Sequence, residues 1–131
     1  TSFPKVDILK FNLPSLSDAL GQEYVSGFSG ACYFAEKDAL LLTSSVETTG
    51  DAYNDGQILG SFIAYLPLKE FSDGKDLRKV FTPITRDDQK VITKLESISV
   101  QEVVDDSRLK VIAASDNDTG LSEFFALTLE L

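Results

Sequence analysis

The sequence predicts an all-β fold built from antiparallel four-stranded meanders, and three observations carry that prediction. Apolar residues alternate or gather in short runs of strand length, clusters of Gly, Pro, Asn and Asp separate the runs, and no stretch keeps the period of an amphipathic helix. The chain has 131 residues, enough for one hydrophobic core, so residues 1–131 read as a single domain.

The elements follow in order. Residues 5–11 carry Val6, Ile8 and Phe11 near period two and read as an extended segment ended by Leu13-Pro14. Residues 15–22 read as a loop or one helical turn. Residues 30–36 and 39–45, joined by a polar Lys37-Asp38 turn, read as a hairpin of central strands, because their apolar runs suit burial on both faces. A polar loop over 46–57 leads to a third strand, 58–66, closed by Pro67. A charged stretch over 69–79 precedes residues 80–84, where Pro83 favours an edge strand. Residues 98–104, a turn at Asp105-Asp106-Ser107, residues 109–115, a polar loop over 116–122 and residues 124–131 repeat the same rhythm.

The two halves align as a repeat. Thr43-Ser44-Ser45 falls on Ala113-Ala114-Ser115, and Phe62-Ile63-Ala64-Tyr65 on Phe124-Phe125-Ala126-Leu127. The chain then divides into an outer strand and loop (1–24), a first blade-like repeat (25–86) and a second (87–131). The second repeat lacks an outer strand, and residues 6–11 are the expected donor, since a strand from elsewhere in the chain removes an exposed edge. Two blades close no ring, because propellers use about four to eight. The expectation is a partial propeller, or a protomer that completes one by assembling.

Composition excludes several functions. Lys and Arg total 12 against 21 Asp and Glu, and the net charge of −9 repels phosphate backbones and anionic lipid surfaces, so neither nucleic acid nor membrane is an expected partner. With no His and one Cys, a His-based triad, a Cys/His zinc site and an internal disulfide are ruled out. Cys32, in a strand-like run, reads as a small hydrophobe.

The runs Val25-Ser26-Gly27-Phe28-Ser29-Gly30-Ala31, Leu42-Thr43-Ser44-Ser45-Val46-Glu47-Thr48-Thr49 and Asp51-Ala52-Tyr53-Asn54-Asp55-Gly56-Gln57, with Lys94-Leu95-Glu96-Ser97 and Asp116-Asn117-Asp118, resemble the C-terminal part of an uncharacterised bacterial β-propeller family. That family is similar in general pattern to esterase-like phytase propellers. The resemblance implies a propeller fold completed by other blades and brings no activity to particular residues.

Candidate chemistry concentrates in two loops. Glu47, Asp51 and Asp55 lie in one, Asp116, Asp118 and Glu123 in its counterpart, and in a propeller these would meet Lys94 and Glu96 on one rim. Oxygen-rich clusters suit Ca²⁺, so Glu47, Asp51, Asp55, Asp116 and Asp118 are the candidate metal ligands, with Tyr53, Lys94 and Glu96 as ligand contacts. The competing reading is that Asp and Asn simply make turns, and the calcium-loop pattern begun at Asp51 reaches Phe62 where a Glu is needed. Gly27-Phe28-Ser29-Gly30 is no nucleophile elbow, and its glycines read as a tight entry into an inner strand. Three functions stay open: a ligand-binding or scaffold propeller segment that associates with itself or with further blades, a calcium-assisted phosphoester or lactone hydrolase, and a β-sandwich used for protein contact.

Overall fold

The computed structural model describes residues 4–48, 56–116 and 121–131. It is all-β: eleven strands, no α-helix among the described residues, and antiparallel pairing in every ladder. A short hairpin, β1 (Ser15–Ser17) and β2 (Glu23–Val25), precedes a four-stranded meander of β3 (Gly27–Phe34), β4 (Ala39–Glu47), β5 (Ile58–Pro67) and β6 (Thr82–Pro83). After a second small hairpin, β7 (Thr85–Arg86) and β8 (Gln89–Lys90), a three-stranded meander follows: β9 (Leu95–Asp105), β10 (Arg108–Asp116) and β11 (Ser122–Glu130). Both meanders keep chain order, as the repeated turn and strand pattern predicts.

Alternation along β4 explains why the first sheet is buried on both faces. Leu41 and Ile63 share a core with Leu95, Ile98, Leu109 and Val111 of the second sheet, while Leu42, Val46 and Phe62 pack with Leu13, Leu77 and Phe81 on the other side. The second sheet buries only its Val111 face. Its other face carries Lys110, Ile112 and Ala114 beside Phe124, which is 82% exposed.

Several elements differ from the sequence reading. Residues 15–22 enter a hairpin, because Asp18 Oδ1 accepts the backbone N–H groups of Leu20 and Gln22 at 2.9 Å and closes the turn. The Lys37-Asp38 turn includes a 3₁₀ turn, Ala35–Lys37, with Asp38 left-handed at φ 47°. The β7–β8 hairpin turns on Asp87 and Asp88, with φ 51° and 63°, the positive pair that a two-residue hairpin needs. In the turn between β9 and β10, Asp105 accepts from the Arg108 guanidinium and the Ser107 N–H, which lowers its pKa to about 2.

The largest difference is at the start of the chain. Residues 6–11 do not complete the second sheet; its order is β11-β10-β9. The segment instead runs along residues 73–77, with Gly74 N–H donating to Lys10 O at 2.7 Å, Asn12 N–H to Lys75 O at 3.2 Å and Leu77 N–H to Asn12 O at 2.9 Å. Apolar burial explains the choice. Phe11 packs edge-on against Phe28 and Phe71, and Leu13 joins the fully buried Leu77 over β4 and β5.

Ser44 faces this apolar cluster side of β4, opposite Phe62, fully buried and with no hydrogen-bond partner for its hydroxyl. A buried hydroxyl left unpaired costs about 1–3 kcal/mol. Ser44→Ala should therefore stabilise the fold, by about 1 kcal/mol after the lost contacts are subtracted. Denaturant unfolding checks it, and a destabilised variant would refute the argument.

Candidate functional site

Strand register brings one end of both sheets together. Gly27 pairs with Ser45 and Ser45 with Ser61 in the first sheet, while Leu95 pairs with Ser115 in the second. The Ser45 hydroxyl lies 3.2 Å from Leu95 O, so β3 and β9 begin at this same end, and β4 and β10 finish there. Glu47, Lys94 and Glu96 lie at this end, where Asp116 closes β10.

Three of the predicted residues touch. The Lys94 ammonium lies 2.5 Å from the Glu47 carboxylate and 3.8 Å from that of Glu96, and all three side chains are between one-third and one-half exposed. At such exposure each pair adds at most about 1 kcal/mol. Asp116, at the end of β10, is exposed. Asp51, Tyr53, Asp55 and Asp118 lie outside the described residues.

A calcium ion needs about six to eight oxygen ligands. Among the described residues no group of three or more acidic, His or Cys side chains is arranged to hold a metal. Where Glu47 and Glu96 do converge, an ammonium already sits between them. This donor set fits an internal ion pair better than a divalent cation.

Beneath the rim lies a feature the sequence reading missed. Ser29 meets Thr43 at 2.9 Å and Ser45 at 3.2 Å, and Ser45 meets Ser61 at 2.8 Å. Ser61 donates to Thr93 O at 2.6 Å and accepts the Leu95 N–H at 3.0 Å. Since the single Ser61 proton goes to Thr93, the Ser45–Ser61 contact uses the Ser45 proton, shared with Leu95 O. This buried hydroxyl chain ties three strands of one sheet to the backbone that enters the other. Its signal in the sequence was present: Thr43 and Ser45, two residues apart and so on one face of a central strand whose preceding residues are all apolar.

Among the concavities that border the sheets, three adjoin the apolar cores. One of about 390 Å³, lined by Phe11, Phe28, Ala31, Leu42 and Phe71, opens on the face of the first sheet that turns away from the second. Two adjoining grooves, of about 260 and 390 Å³, run between β5–β8 and β11; they share Ile84, Thr85, Ala126 and Leu127. None contains the rim residues Glu47, Lys94 and Glu96.

Fold and site define a protein of antiparallel meanders with a carboxylate-lysine rim and no assembled triad or metal cluster among the described residues. The chain belongs to DUF6929, a family of unknown function, whose model matches residues 1–129. No match was found among curated proteins or among solved structures.

Proposed function

We propose that the chain is a ligand-binding or scaffold segment of a β-propeller, its two meanders serving as neighbouring blades and its rim as the binding face. One observation carries the reading: the meanders stack in the same sense. β3 and β9 start at the same end and approach most closely, with the Gly30 backbone against Glu96 O. The outer strands β5, β6 and β11 lie on one side of them and splay around the grooves. Radial blades have this wedge shape, whereas the sheets of a sandwich stay near parallel across their width.

Under this reading, face polarity shifts the repeat by one residue. Neighbouring blades stack front to back, so the Val111 face of the second sheet corresponds to the Leu42 face of the first. Leu42 then matches Val111, and Phe62 matches Phe125, one residue away from the alignment that sequence similarity suggests.

At the rim, Lys94 neutralises the carboxylates that a metal-assisted hydrolase would need for its cation. The wild-type chain should show no turnover of generic phosphoesters or lactones and no melting shift in millimolar Ca²⁺. Lys94→Met should melt within about 1 kcal/mol of wild type and acquire a Ca²⁺-dependent melting increase, because Glu47 and Glu96 are left without their ammonium. A calcium shift of several degrees in the wild type, or calcium-dependent turnover, would replace this reading with the hydrolase.

A further inference from the structure

The second sheet ends in a bare strand. β11 pairs with β10 along Ser122–Glu130 and has no strand on its other side among the described residues. It also lacks the usual edge protection, having no Pro, no Lys and an unbroken register. The first sheet, by contrast, ends in Thr82–Pro83. Alongside β11 the two grooves are lined by the half-buried Phe125, Leu127 and Leu129 above the buried Ile84, with Thr82, Thr85 and Thr93 among them, a trough of mixed polarity that an added strand would fill with every second side chain.

The chain also carries a segment suited to that trough. Val6 and Ile8 are 72% and 73% exposed, alternate with Lys5, Asp7 and Leu9, and belong to no strand. We propose that the free edge of β11 accepts residues 5–9 of a second copy of this chain as an added antiparallel strand. Setting Ile8 opposite Leu127 puts Val6 opposite Leu129 and Lys5 opposite Glu130. The apolar side chains then face the trough, and the outward pair carries opposite charges. In that register Lys5 meets the acidic end of β11 at Glu130, and Asp7 lies opposite the uncharged Thr128.

The donor is a second copy because the chain's own segment is held elsewhere. Lys10 and Asn12 are bonded to residues 73–77, and Phe11 lies against Phe28 of β3. That is the face of the first sheet turned away from the second. Extended from Lys10, residues 5–9 reach about 17 Å, and they would have to leave this face and pass around the first sheet before pairing with β11.

The test compares the full chain with a Val6→Lys, Ile8→Lys double variant by light scattering from micromolar to millimolar concentration, with amide exchange read along β11. The wild type should rise to at least twice the 14.3 kDa chain mass, and its β11 edge amides should gain tenfold or more protection as it does. The variant should stay at single-chain mass, with unchanged melting and unprotected β11 amides. A wild type of single-chain mass throughout overturns the proposal, as does a variant that associates like the wild type. Protection of β11 that is independent of concentration and lost in the variant means closure by the chain's own segment, and overturns it equally.

Discussion

Leu41→Ala should cost about 2–5 kcal/mol, the range for truncating a fully buried leucine. Leu41 has no exposed surface and stands where the two sheets share their core, packed with Ile63, Leu95, Ile98 and Leu109. Its strand is laddered on both sides, to Cys32 and to Tyr65, so the backbone cannot sink into the space left behind. A cavity that cannot collapse places the loss in the upper half of that range. Because the residue bonds one sheet to the other, the loss should appear as a shift of a single cooperative transition seen by every probe. Leu109→Ala removes the facing side chain from the same core, and the double variant should lose less than the sum of the singles. Denaturant unfolding gives all three values. A loss below 1 kcal/mol for Leu41→Ala, or separate transitions for the two sheets, would mean that the sheets do not depend on this contact.

What was legible in the sequence follows from what local pattern can encode. Residues 39–45 are apolar or small without interruption, and they form a strand buried on both faces; Pro83 sits at a sheet edge as its missing N–H requires. The fate of residues 6–11 was not legible. Their alternation fits an added strand, but Phe11 and Leu13 gain more by covering β4 and β5 beside Leu77, and Leu77 is hidden in the run Lys75-Asp76-Leu77-Arg78-Lys79. A single buried residue among charges gives no periodic signal. The same holds for β1, whose hairpin depends on one carboxylate, Asp18, satisfying two backbone donors.

The rim was legible in part. Glu47, Lys94 and Glu96 were expected on one rim and do meet at one end of the sheets, while Asp116 has no part in their ion pairs. Spacing could not show that Lys94 would stand between two acids, because that depends on how β9 enters across the end of β4. Nor could it show the hydroxyl chain below, which is a property of how three strands align.

Gly30 separates these two levels of information most sharply. In the sequence, Gly27 and Gly30 are twin members of one Gly-Phe-Ser-Gly run and both read as turn formers; in the structure neither has a left-handed backbone, and their surroundings differ. A Cβ at Gly30 would lie 2.8 Å from Glu96 O and 2.9 Å from Thr43 Oγ1, while a Cβ at Gly27 meets nothing within 4 Å. The Thr43 hydroxyl can rotate, but only by giving up Ser29. The Glu96 carbonyl cannot yield alone, since it belongs to the strand that leads the second sheet. Gly30→Ala must therefore push β9 away from β3, which also stretches the Ser45 and Ser61 bonds to residues 93–95. Overpacking of this kind costs about 1–3 kcal/mol, and loosening the buried hydroxyl chain adds to it. Gly27→Ala should instead be neutral or stabilising, by up to about 1 kcal/mol, because it only reduces the freedom of the unfolded chain. The paired measurement is thermal and denaturant unfolding of both variants, with the Leu95 amide exchange rate as a local reporter. Equal stabilities for the two variants, or a Gly30→Ala protein with an undisturbed Leu95 amide, would show that β3 and β9 do not approach as closely as the stacking of the two meanders requires.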